Sequence, residues 1–91
     1  MAIEVRITAS LQKLVNGQRS VLASGATVSE CLDQLEDHYP GIKTQLLTDG
    51  ELHRFVNIYR NDEDIRFLEQ LETPVNDGDT ISILPALAGG T

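Results

Sequence analysis

The residues with the most distinctive chemistry stand at the C-terminal end, where the sequence reads ALAGGT over residues 86–91. Gly89 and Gly90 lack a Cβ, so a carboxylate on Gly90 would form a slim acyl end that passes through a narrow channel. Small side chains without a helix cap predict a flexible tail. A diglycine alone is a weak motif, and a solvated tail without chemistry is the alternative interpretation.

Thr91 conflicts with a reactive Gly90, because a terminal Thr91 leaves Gly90 with a peptide carbonyl that cannot be activated. We therefore predict cleavage between Gly90 and Thr91 and a mature chain that ends at Gly90. The alternative is that Thr91 does not belong to the natural chain.

The other reactive side chains do not form a site by their spacing. Cys31 falls on the predicted inner face of a helix without a basic neighbour, which predicts a packed thiol rather than a nucleophile. His38 lies at a helix end and His53 precedes a strand, and neither has converging ligands, so we predict no metal site. The single cysteine excludes an internal disulfide and favours a reducing compartment.

The acidic run at residues 61–64, Asn-Asp-Glu-Asp, is a second candidate for binding a cation. A calcium loop needs a glycine where the chain turns sharply, and here Phe67 stands close to that position. The run therefore predicts a solvated turn. Its Asp62 and Asp64 are placed to meet a basic partner surface, an interaction that salt would weaken.

Composition and charge limit the class of protein. A chain of 91 residues with 41% apolar and 23% charged residues predicts one globular domain. The net charge of -7 excludes a nucleic-acid partner and favours basic protein surfaces. The N-terminal sequence lacks a signal peptide, and no run approaches the roughly 20 apolar residues that span a bilayer, so we expect a cytoplasmic protein with no membrane partner.

Alternating apolar residues predict two strands at the start of the chain. Ile3–Ile7 alternates apolar with polar residues, which is typical of a strand with one buried face. Turn residues at 16–18 lead into a second alternating segment at residues 19–23. The two segments therefore predict a hairpin.

A capping box and helical spacing predict one main helix. Thr27 and Glu30 can each satisfy a free backbone N–H, so the helix begins near Val28. Pro40 and Gly41 end it before a short apolar turn. Its buried face is predicted to comprise Val28, Cys31, Leu32, Leu35 and Tyr39.

The later strands are predicted from the same alternation. Residues 54–60 form the third strand, with Val56 and Ile58 on its buried side. On its solvent side lie Phe55, Asn57 and Tyr59. The polar turn at 61–64 precedes a predicted short strand at Ile65–Phe67.

The last strand is predicted at residues 80–84, after the turn sequence Asp-Gly-Asp and before Pro85. The element order predicts an α+β fold, a ubiquitin-like β-grasp roll with a mixed sheet of four to five strands covered by one main helix. Such a roll allows the terminal strands to lie side by side. A ferredoxin-like sandwich is the alternative, but residues 67–79 lack its second helical pattern. We expect a domain at residues 1–85 and a flexible tail at 86–91.

Two blocks of sequence resemble a known family. The segment VNDGDTISILPALAGG, residues 75–90, resembles the C-terminal signature of the ubiquitin-like sulfur carriers, which include the molybdopterin synthase small subunit and the thiamine sulfur carrier. The block LHRFVNIYRNDEDIRF, residues 52–67, is similar to the CysO-type carriers of cysteine biosynthesis. With the first strand and helix, the resemblance covers nearly the whole chain.

The resemblance implies a carrier that catalyses nothing and binds no cofactor itself. A ubiquitin-activating-type enzyme would adenylate the Gly90 carboxylate with ATP, and a sulfur donor would replace AMP to leave a thiocarboxylate. A cysteine-synthase-like enzyme would then accept the sulfur. A zinc metallopeptidase would process the tail at Gly90.

Docking is predicted from the solvent side of the sheet, since ordering a tail costs roughly 1 to 2 kcal/mol per residue and needs compensation. Exposed apolar side chains at Phe55, Tyr59 and Leu84 are the candidates, and the resemblance supports Leu84. Packing of Phe55 within the domain is the alternative. The predicted partner-binding segment continues through Pro85, Ala86, Leu87 and Ala88.

Three other functions stay open on the sequence alone. The small subunit of molybdopterin synthase would use the same tail to give sulfur to a pterin precursor. A protein modifier would join Gly90 to lysines of other proteins. A ubiquitin-like docking module would make no use of its terminus.

Overall fold

A computed structural model describes residues 2–53 and 56–85 of the chain. Within these residues the α-helices are α1, Val28–His38, and α2, Ile42–Leu46. The strands are β1 Ile3–Ile7, β2 Ser20–Ala23, β3 Leu47–Thr48, β4 Glu51–Leu52, β5 Val56–Arg60, β6 Glu63–Asp64 and β7 Thr80–Pro85. Short 3-10 helices occupy Ala9–Val15, Ile65–Phe67 and Gln70–Glu72.

The main sheet has five strands in the order β2-β1-β7-β5-β6. The last strand β7 therefore lies in the middle, parallel to β1 and antiparallel to β5. The side-by-side arrangement of the terminal strands is confirmed. β1 and β2 pair as the predicted antiparallel hairpin, and β3 with β4 forms a separate two-stranded hairpin that the sequence did not predict.

Helix α1 begins where the capping box predicts. The Thr27 hydroxyl accepts a hydrogen bond from the Glu30 backbone N–H at 3.2 Å. The Glu30 carboxylate reaches one residue further back than expected and accepts from the N–H of Ala26 at 2.8 Å. Both side chains therefore satisfy backbone donors at the helix start, as a capping box requires.

Gly25 allows the chain that leaves β2 to pass close over the first turn of α1. A Cβ at Gly25 would lie 2.8 Å from the Cβ of Glu30 and 2.9 Å from the backbone nitrogen of Cys31. Both distances are shorter than a carbon contact permits, so a side chain at this position would push the loop and the helix apart.

The core lies between the sheet and α1. Ile3 and Val5 of β1, with Ile81 and Ile83 of β7, are fully buried on the inner face of the sheet. The covering helix contributes Val28, Cys31, Leu32 and Leu35. Each fully buried aliphatic side chain contributes about 1.5 to 3 kcal/mol, so the two terminal strands and the helix stabilise one another.

The predicted strand at Ile65–Phe67 is wrong, because this segment forms a 3-10 helix. The strand is β6, which lies two residues earlier and pairs with Tyr59 and Arg60 of β5. The cause is local: the Asp64 carboxylate accepts a hydrogen bond from the Arg66 N–H at 2.8 Å, which caps the turn. The sequence also missed the 3-10 helix Ala9–Val15 between β1 and β2.

Glu36 links the end of α1 to the start of α2. Its carboxylate accepts hydrogen bonds from the backbone N–H groups of Gly41, at 3.0 Å, and Lys43, at 2.9 Å. These bonds favour the charged form and lower the pKa of Glu36.

We predict that Glu36→Gln lowers the free energy of unfolding at neutral pH, because the amide is a weaker acceptor for these N–H groups. The folded-state pKa of Glu36 is depressed, so its contribution is present above the unfolded-state pKa and is lost as the pH falls through the folded-state pKa. Urea denaturation of both proteins should show a difference at neutral pH that shrinks at acid pH. A difference that stays constant with pH would show that the carboxylate charge is unimportant.

Candidate functional site

The described part of the candidate site is the C-terminal end of β7, from which the tail departs. Its last pairing joins Pro85 to Val56 of β5, one residue after Leu84 pairs with Asn57. The predicted site residues Phe55, Ala86, Leu87, Ala88, Gly89, Gly90 and Thr91 lie outside the described residues. The structure therefore describes the tail base, the strand end that precedes the predicted reactive tail.

The predicted outward orientation is confirmed for Tyr59 and Leu84, two of the three candidate docking residues. Leu84 is 43% exposed and Tyr59 is half-buried, while Ile83 and Ile58, their neighbours in the chain, are fully buried. Tyr59 pairs with Ser82 of β7, so it lies on the same face as Leu84. The two side chains define an open sheet face beside the point where the tail begins.

Arg66 fixes the beginning of β5 against the short helix that follows β6. Its guanidinium donates hydrogen bonds to the backbone oxygens of Val56, at 2.8 Å, and His53, at 3.2 Å. A third bond reaches Oδ1 of Asn57 at 2.5 Å. Because Asn57 is the cross-strand partner of Leu84, this clamp orders the strand next to the tail base.

Sequence reasoning missed the clamp by Arg66. Arg66 stands between the apolar residues Ile65 and Phe67, where an alternating strand would place a solvent-facing charge. The sequence offers one indication of this role, which is a positively charged residue within a short apolar segment. Its partners lie 9 to 13 residues away in the chain, which sequence pattern does not reveal.

The turn that precedes β7 ties down the other end of the strand. Gly78 has a φ of 92°, a conformation that favours glycine. The carboxylate of Asp77 accepts from the N–H of Ala2 at 2.8 Å, and that of Asp79 accepts from the N–H of Asn76 at 2.8 Å. The DGD sequence thus sets where β7 begins beside β1.

The residues judged unsuitable for catalysis occupy structural positions. Cys31 is fully buried, and burial, with a smaller effect of the Glu30 carboxylate, raises the pKa of its thiol. His38 lies in the last turn of α1 with Nδ1 3.0 Å from the Gln34 backbone oxygen. The backbone N–H of His53 donates to Leu46 at 2.8 Å. A packed thiol at Cys31 is therefore confirmed.

The described residues contain neither a cluster of metal ligands nor a helix that could span a membrane. Across residues 2–53 and 56–85, no three His, Cys, Asp or Glu side chains gather as a metal-binding set. Over the same ranges, no helix has the length and apolar character needed to cross a membrane.

The comparisons with known proteins agree with this geometry. The ThiS family matches residues 5–90. The sulfur carrier protein CysO of Mycobacterium tuberculosis is 48% identical, over 99% of this chain and 100% of its own length. A chain of the Amycolatopsis orientalis BexX/CysO complex superimposes with a TM-score of 0.92 at 50% identity, covering 98% of this chain and 100% of that one. The small archaeal modifier protein 3 of Haloferax volcanii is 36% identical over 99% of this chain and 100% of its own length.

The fold and the position of the tail base define a ubiquitin-like β-grasp protein, as the sequence predicts. More particularly, the chain belongs to the ThiS family of ubiquitin-like sulfur carriers. The predicted resemblance to CysO-type carriers is confirmed over nearly the whole chain.

Substitutions at two neighbouring residues of β7 should distinguish a residue that stabilises the fold from one that is free to bind a partner. We predict that Ile83→Ala lowers the free energy of unfolding by about 2 to 5 kcal/mol, because it leaves a cavity in the core. Leu84→Ala should cost about 1 kcal/mol or less, because its side chain is partly in solvent. Chemical denaturation of the two variants measures both values. Equal losses would show that Leu84 is a packing residue and not a free docking residue.

Proposed function

We propose that this protein, with Gly90 as its last residue, carries sulfur as a C-terminal thiocarboxylate for cysteine biosynthesis. The observation that carries the proposal is a family match that runs through Gly90, the second glycine of the tail. The 48% identity with the CysO sulfur carrier over 99% of the chain favours the cysteine pathway. The end of β7 is suited to presenting such a tail.

The proposed chemistry takes place on the Gly90 carboxylate in two steps. A carboxylate oxygen attacks the α-phosphate of ATP in a ubiquitin-activating-type enzyme, and pyrophosphate leaves. A sulfur nucleophile then attacks the acyl carbon, the C–S bond forms, and AMP leaves. Glycine at positions 89 and 90 keeps the approach to that carbon free of side chains.

Removal of Thr91 is part of the proposal. With Thr91 in place, the Gly90 carbonyl belongs to a peptide bond and offers no oxygen nucleophile to ATP. A zinc metallopeptidase is the proposed processing enzyme. We also propose that this protein binds no cofactor of its own and acts in the cytoplasm, where its single cysteine stays reduced.

The folded body is proposed to supply most of the recognition, with residues 1–85 as the domain and 86–91 as the tail. Ordering residues 86–90 in an enzyme channel costs roughly 5 to 10 kcal/mol of backbone entropy. Burying Leu84 and the exposed part of Tyr59 against the partner offsets a share of this cost. Pro85 lowers the entropic cost of ordering the tail, because its φ is already fixed in the free protein. Phe55 and residues 86–88 are proposed to complete the contact.

The acceptor is proposed to be a cysteine-synthase-like enzyme. Two alternatives use the same terminus: transfer to a pterin precursor by a molybdopterin synthase, and attachment to lysines of other proteins. The 36% identity with an archaeal protein named as a modifier favours the second of these. Incubating the thiocarboxylated protein with each sulfur acceptor distinguishes cysteine from pterin synthesis, because only one acceptor should take up the sulfur. A protein modifier would instead give conjugates on a denaturing gel.

A chain ending at Gly90 should gain the mass difference between oxygen and sulfur when incubated with its activating enzyme, ATP and a sulfur source. Intact-mass spectrometry measures this change. The matched controls are the 91-residue chain, which should not react, and Gly90→Ala, which should react slowly because its Cβ obstructs the channel. An unchanged mass for the Gly90-ended chain with every adenylating enzyme of its own cell would contradict the proposal.

A further inference from the structure

Phe67 is a large apolar side chain that lies in solvent and not in the core. It is 87% exposed, against 72% for Leu22 and 43% for Leu84. Exposed apolar side chains often occur singly without a role. Phe67 differs because the residues around it hold its backbone in place.

In the short helix Ile65–Phe67, the two residues before Phe67 are both held in place by the rest of the protein. Ile65 is fully buried, and the Asp64 carboxylate caps the Arg66 N–H at 2.8 Å. The Arg66 guanidinium makes two hydrogen bonds to the start of β5, at Val56 and Asn57, and a third to the backbone oxygen of His53. The Leu68 N–H closes the turn on the Ile65 oxygen at 3.0 Å. Phe67 is therefore preorganised in an outward position, which lowers the entropic cost of binding.

The surface around Phe67 is a shallow depression of about 380 Å³ with an acidic rim. It is lined by Tyr59, Asp62, Glu63, Asp64, Phe67 and Leu68. Asp64 is engaged as the cap of Arg66, and Glu63 lies 3.4 Å from Arg60 with most of its side chain in solvent. Asp62 is exposed and makes no hydrogen bond or ion pair within the described residues.

We propose that this acidic aromatic depression binds an arginine side chain presented by a partner protein. The planar guanidinium would lie over the Phe67 ring, and its N–H groups would donate to the carboxylates of Asp62 and Glu63. An uncharged apolar partner fits poorly, because it would desolvate the carboxylates without pairing them. Arginine fits better than lysine because its planar guanidinium can stack on the aromatic ring while the N–H groups at its edge donate to the carboxylates.

Tyr59 of β5 connects the depression to the outer face of the sheet. Tyr59 lines the depression and also pairs with Ser82 of β7 on the sheet face that carries Leu84. A partner that holds the tail could therefore contact both surfaces. The inference does not depend on the chemistry at Gly90, since it rests on the described side chains alone.

A peptide titration followed by NMR tests the proposal on the full 91-residue chain. The probe is acetyl-Gly-Arg-Gly-amide, added to ¹⁵N-labelled protein, and the matched peptide has citrulline, which is neutral and of similar shape, in place of arginine. We expect saturable shift changes concentrated in residues 59–68 with the arginine peptide. The citrulline peptide should bind about two- to fivefold more weakly, and added salt should reduce the difference.

Variants assign the effect to the depression. Phe67→Ala and the double variant Asp62→Asn, Glu63→Gln should each weaken binding by about two- to fivefold, and the exposure of these side chains should leave the fold intact. Leu22→Ala, at an exposed apolar side chain on β2, is the control and should bind as the parent does. Absence of saturable binding, shifts spread evenly over the acidic surface, or equal binding by Phe67→Ala would overturn the proposal.

Discussion

The parallel pairing of β7 with β1 is the interaction on which the rest of this structure depends. It places the last strand in the centre of the sheet, with β1 on one side and β5 on the other. Ile81 and Ile83 are fully buried there, so the strand that leads to the tail is also part of the core. The tail at residues 86–90, where the proposed chemistry takes place, therefore follows directly on a strand of the core.

This arrangement explains how one short strand can serve two purposes. Along β7, inward residues hold the sheet to α1, while Leu84, the proposed docking residue, is partly exposed on the outer face. The alternation of a strand keeps the two sets of side chains apart.

The elements with strong local signals were predicted from the sequence. Strand β1, the capping box at Thr27 and Glu30, and the buried face of α1 each follow from a pattern within a few residues. The segment Ile65–Phe67 was assigned wrongly because three residues are too few to distinguish a strand period from a helical one. What decides it is the Asp64 cap, together with the Arg66 clamp on β5.

The candidate site was predictable in part for the same reason. The outward positions of Tyr59 and Leu84 follow from alternation, and so they appear where expected. The role of Arg66 and the acidic depression around Phe67 depend on contacts between segments distant in sequence, which no local pattern encodes. The resemblance to sulfur carriers identified the family, but the contacts of Arg66 and the depression around Phe67 became visible only in the structure.

Native-state hydrogen exchange of the β7 amides tests the central claim most directly. If the central strand is the anchor of both the fold and the tail, the amides of Ile81, Ser82 and Ile83 should exchange only through global unfolding. Their exchange free energies should then equal the free energy of unfolding measured with denaturant. Exchange of these amides at a clearly lower free energy, while those of β1 and β2 stay protected, would contradict the account.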